Sequence, residues 1–89
     1  MYRASIKQIL MTILASELLV KYVDIHAFDR FDSDVKLSEE EFNRFLYFVE
    51  MSFGIELSNQ PIFINNRFID LVNIVYQLTS VEERVLLTA

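Results

Sequence analysis

The sequence has no cysteine, and it contains one glycine, one proline and one histidine. Without cysteine there can be no disulfide, thiolate metal site or cysteine nucleophile, so the fold must hold by packing alone. A single glycine excludes a glycine-rich phosphate loop. Together with the single proline it leaves little punctuation for tight turns, which favours helices. His26 stands alone between Ile25 and Ala27, with no second histidine or cysteine to complete a metal set. No serine or carboxylate lies at a spacing that implies a triad with it, so a surface or half-packed role is expected. The paired acids define no general acid and base, and no enzymatic activity is expected. A basic stripe able to neutralise phosphates is also missing, which argues against nucleic-acid binding. The longest apolar stretch, "ILMTILASELLV", is broken by Thr12, Ser16 and Glu17 and is too short to cross a bilayer. Arg3 and Lys7 ahead of it imitate a secretion signal, but helical periodicity accounts for it better. The cytoplasm is the expected compartment.

Apolar residues are plentiful, at 53% of an 89-residue chain, which is too many for disorder. A chain of this size is expected to form one domain, residues 1–89, and to bury roughly 60% of its unfolded surface. The formal net charge of −5 is concentrated in residues 24–50, where eight acids face three bases. Such a segment suits a basic protein partner.

Ile6, Leu10, Ile13, Leu14 and Leu18 recur at spacings of three and four, which predicts an amphipathic helix from about residue 3 to about residue 19. From Val20 to Leu37 the pattern dissolves into acids, with Val23, Ile25, Phe28, Phe31 and Val35 as single apolar anchors of a long loop that has room for a short helical turn. Ser38 and Glu41 then spell a capping box, and the three glutamates lie at the helix end that favours negative charge. Helix two continues through Phe42, Leu46, Val49 and Phe53 and stops at Gly54. Pro61 marks a turn or the first position of a short helix. Asn66 is the expected cap of a last helix whose face holds Phe68, Leu71, Val72 and Val75. After Thr79, a second capping-box pattern from Ser80 to Glu83 opens a separate short helix on the outside. The expected fold class is all-α, a small three- to four-helix bundle with that extra C-terminal helix. Its expected core is Ile13, Leu14, Phe31, Leu46, Val49, Phe53, Phe68, Leu71 and Val72. Phe48 extends the apolar arc of helix two beyond what three helices cover, so Val81 to Leu87 or a partner is expected to lie over it.

A long helix, a long anchored loop, an acidic helix ending in "FGIEL" at 53–57 and a closing "FIDLVNIV" at 68–75 resemble the acyl carrier protein family. The resemblance runs without a gap from about Ile6 to Val75. It implies a bundle that docks a basic partner, such as a phosphopantetheinyl transferase or another acyl-handling enzyme of fatty acid or polyketide biosynthesis. It also implies a 4'-phosphopantetheine arm on the serine of an Asp-Ser-Leu motif. Here the register puts Ser38 at the aspartate, Glu39 at the modified serine and Glu40 at the leucine. Glutamate has no hydroxyl to modify, so Ser38 becomes the candidate attachment residue, turned about 100° around the helix axis from the family position. Ser33 is the other serine nearby. Arg44 and Met51 stand where carriers often present acids, leaving Glu39, Glu41 and Glu50 as the expected partner contacts.

Two other readings compete. One is a carrier-like interaction module without the arm, in which the acidic helix serves only for binding. The other is a degenerate EF-hand, since "FDSDVKLSEEEF" places Asp32, Asp34, Ser38 and Glu41 in a calcium-loop order. Counting back twelve positions from Glu41, however, puts Arg30 at the first ligand and Val35 where glycine belongs. No metal site is expected, and a monomer is.

Overall fold

A computed structural model of the chain describes residues 2–18 and 25–88, with side chains as far as residue 80. Among these residues there are three helices, α1 (Arg3–Glu17), α2 (Glu39–Phe53) and α3 (Phe68–Thr88), and no strand. The protein is a small all-α bundle. None of the described helices is long and apolar enough to cross a membrane.

Each helix exists because one face can be buried. α1 turns Ile6, Leu10, Ile13 and Leu14 inward and packs against both other helices. At its start Arg3 lies 3.9 Å over the Tyr76 ring and donates to Asn73 Oδ1 at 3.1 Å, tying α1 to the middle of α3. α2 opens with the expected capping box and ends at Gly54, whose φ of 65° is left-handed. A side chain at Gly54 would meet nothing within 4 Å, so conformation rather than space calls for glycine there.

Phe31, a loop residue, is the centre of the core. Its ring lies 5.1 Å from Phe42, 5.8 Å from Phe45 and 6.2 Å from Phe68, joining α2 to α3 through the loop. Leu46 and Phe53, expected in the core, are only half-buried at its margin; Phe42 and Phe45 take the central places with Val49. The inward line of α2 runs through positions 42, 45 and 49, and residues 46 and 53 fall to one side of it.

α3 departs from expectation at both ends. Asn66 does not cap it, because its Oδ1 accepts from the Phe63 amide at 2.6 Å. The first amides of the helix, those of Phe68 and Ile69, donate instead to the carbonyls of Asp29 and Ala27, both at 2.8 Å. Asp70 Oδ2 accepts from the Arg67 amide at 2.8 Å. No separate helix begins at Ser80, since α3 runs unbroken to Thr88. Neither glycine nor proline interrupts residues 68–88, and the Thr79 hydroxyl bonds back to the Val75 carbonyl at 2.9 Å rather than opening a new cap. The side chains of Val81 to Leu87, and so their relation to Phe48, lie outside the described residues. No helix forms at Pro61. The loop before α2 holds hydrogen-bonded turns, with the amides of Asp34 and Val35 both reaching the Arg30 carbonyl.

Two expectations follow. Phe31→Ala should lower stability by about 3–5 kcal/mol in urea unfolding, whereas Phe28→Ala, at a residue 74% exposed, should change it by less than about 0.5 kcal/mol. Lys36 has a φ of 64°, a conformation that strains any residue with a Cβ. Lys36→Gly should therefore raise stability by about 0.5–1 kcal/mol, the strain relieved less the extra freedom of the unfolded chain. An unchanged or lower urea midpoint would contradict this.

Candidate functional site

The sequence features that suggest a function converge on the start of α2. Lys36 turns the chain so that Leu37 enters the core, its amide bonded to the Phe31 carbonyl at 2.9 Å. Ser38 follows in extended backbone and caps the helix. Its Oγ accepts from the Glu41 amide at 3.1 Å, while Glu41 Oε1 accepts from the Ser38 amide at 2.9 Å. The hydrogen bond that the Ser38 amide donates to it is the main reason that the Glu41 carboxyl lies below its usual range.

Of the three expected partner contacts, only Glu39 stands exposed. Glu41 is half-buried in the capping box, and Glu50 Oε2 accepts from the Leu57 amide at 2.7 Å, anchoring the chain that leaves α2. Glu40, which the sequence did not single out, is exposed beside Glu39, and among the described residues neither carboxylate makes a hydrogen bond or an ion pair. Its exposure follows from the position of the inward line, which lies on the opposite side of the helix. Tyr47, also not singled out by the sequence, and Met51, which the resemblance put where carriers often present acids, are 56% and 65% exposed on that outer side.

The loop acids are engaged within the loop. Arg30 Nε and Nη2 donate to the two oxygens of Asp32 at 3.0 and 2.7 Å. This paired hydrogen bond holds the Asp32 carboxyl below its usual range and raises the Arg30 guanidinium. Asp34 Oδ2 accepts from the Arg30 amide at 2.8 Å, and Asp29 Oδ2 from the His26 amide at 2.8 Å. In the calcium-loop register, Asp32, Asp34 and Glu41 thus turn to three different local donors. Among the described residues, no three or more of His, Cys, Asp and Glu are grouped so as to hold a metal ion.

The residues around Ser38, itself exposed, depart from the attachment motif that the resemblance implies. Its hydroxyl belongs to the cap, the residue before it is the buried Leu37 rather than an aspartate, and a glutamate follows. Behind it the interior is filled by Phe31, Phe42, Phe45 and Phe68, none more than 2% exposed. Ser33 is exposed in the turn, its amide held by Asp32 Oδ1 at 2.6 Å. A shallow depression of about 620 Å³, lined in part by Ile55, Asn59, Gln60 and Gln77, adjoins Gly54 at the other end of α2. No protein-family model, curated protein or solved structure matches the chain.

Removing the cap hydroxyl with Ser38→Ala should cost about 1 kcal/mol in urea unfolding. The pH dependence has a definite sign. The folded pKa of Glu41 is depressed, so its contribution to stability is present above the unfolded carboxylate value and is lost as pH falls through the folded one. Glu41→Gln keeps an acceptor at this position but does not titrate. It should reduce the loss of stability on acidification, measured as the shift in urea midpoint between neutral pH and the carboxylate range.

Proposed function

We propose that this chain is a docking module resembling an acyl carrier protein but working without a prosthetic arm: a small bundle that offers the outer side of α2 to a basic partner protein. One observation carries this reading. The amide and hydroxyl of Ser38 are both closed into the capping box, while Glu39 and Glu40 beside them stand exposed in the first turn. All three residues face solvent, but the Ser38 hydroxyl is engaged in holding the helix, whereas the two carboxylates are left to attract a partner. Two exposed carboxylates with no described partner, on a chain of net charge −5, favour approach by a cationic surface and speed the encounter more than they tighten the complex. The order of elements, with an acidic second helix following a long anchored loop, supports the likeness to carriers. The geometry of Ser38 supports the absence of the arm.

The test is intact mass. After incubation with coenzyme A and a broad-specificity phosphopantetheinyl transferase, the mass should be unchanged. A gain of one pantetheinyl group that disappears in Ser38→Ala would overturn the arm-less reading and make the protein a carrier.

A further inference from the structure

The exposed acids are one end of a longer stripe. Successive turns of α2 bring Glu40, Arg44, Tyr47 and Met51 to the side opposite Phe42, Phe45 and Val49, and all four are exposed. Tyr47 and Met51 are four positions apart, so they are neighbours on the helix surface. The Tyr47 ring also meets Phe48 edge-on at 5.8 Å, extending the apolar area toward the half-buried flank. Large apolar side chains that face solvent side by side, next to acids on the same helix side, offer an apolar contact to a partner. At 1.5 Å per residue, Glu40 and Met51 lie about 16 Å apart along the helix axis.

We propose that this stripe is a two-ended docking surface for a basic protein segment carrying an apolar side chain: the segment's cations meet Glu39 and Glu40, its apolar group meets Tyr47 and Met51, and Arg44 excludes a cation between them. The inference rests on the docking reading above and adds the chemistry and polarity of the partner. Charge decides the occupant. A second copy would bring net charge −5 against net charge −5. An anionic bilayer would repel the same acids. A cationic segment with an apolar group complements both ends of the stripe.

The test uses three short synthetic peptides, made of Lys and Leu, Lys and Ser, or Glu and Leu, titrated into the ¹⁵N-labelled protein. The Lys/Leu peptide should shift the amides of Glu39, Glu40, Tyr47 and Met51 and bind about tenfold tighter than the Lys/Ser peptide. The Glu/Leu peptide should not bind. Tyr47→Gln with Met51→Gln, at exposed positions that the fold does not need, should abolish the Leu advantage and leave Lys/Ser binding intact. Arg44→Glu should tighten the Lys/Ser peptide. Equal affinity of the two Lys peptides, an advantage that survives the double substitution, equally tight Glu/Leu binding, or no effect of Arg44→Glu would each overturn the two-ended surface while leaving the docking reading standing. If neither Lys peptide shifts Glu39 and Glu40, the docking reading falls as well.

Discussion

The bundle depends on a set of backbone hydrogen bonds between two loops distant in sequence. The carbonyls of Ala27 and Asp29 accept the first amides of α3, and in return the carbonyls of Asn66 and Ile64 accept the amides of Phe31 and Asp32 at 3.2 and 3.0 Å. A helix start leaves amides that need partners, and a loop held against a core needs its own polar groups paired. Here each requirement satisfies the other. The pairing sets where α3 begins, and it holds Phe31 where its ring can touch Phe42, Phe45 and Phe68 together. The core of a chain without disulfides is thus centred on a loop side chain whose position is fixed by main-chain bonds.

The same loop determines which acids are available for binding. Asp29, Asp32 and Asp34 are close enough to the turn to be held by local donors, the amides of His26 and Arg30 and the guanidinium of Arg30. They order the loop and lose much of their reach as a charged surface. Glu41 and Glu50 are held in a similar way by amides at the two ends of α2. The concentration of negative charge seen in the sequence is therefore mostly internal wiring. What remains exposed and without a described partner on α2 is the pair of glutamates in its first turn, where the helix dipole already favours them.

Features with a local cause were legible in the sequence. The capping box at Ser38 and Glu41, the left-handed turn at Gly54 and the apolar line of α1 each arise from residues within a few positions of one another, and the structure places them as read. Features caused by distant backbone were not. Nothing in the letters around Asn66 tells that the amides of Phe68 and Ile69 will find carbonyls at Asp29 and Ala27, so an asparagine in the right place looked like the cap. Ser80 misled for a related reason: a capping pattern is only an option, and an uninterrupted helix with Thr79 bonded back into it did not take that option. In the candidate site, Glu39 was identified as a contact and Met51 as standing where carriers present acids, whereas Glu40 and Tyr47 were not singled out, because the exact exposed side of α2 is known only once its inward line is fixed. Leu46 and Phe53 were overvalued for the same geometric reason.

The rigidity of α2 connects its fold to its use. Three buried side chains hold the helix along its length, the capping box closes its start, and the Glu50 carboxylate ties its last turns to Leu57. A helix held at both ends and along its inner side keeps its outer side toward solvent, so the backbone positions of Glu39, Glu40, Tyr47 and Met51 are set by the fold. Surface groups held in this way lose little freedom when a partner arrives, and the ordering cost of association falls mainly on the other molecule. The interactions that make this small core possible therefore also preorganise the exposed stripe. On the docking reading proposed above, the burden of adapting would fall on the partner rather than on the bundle.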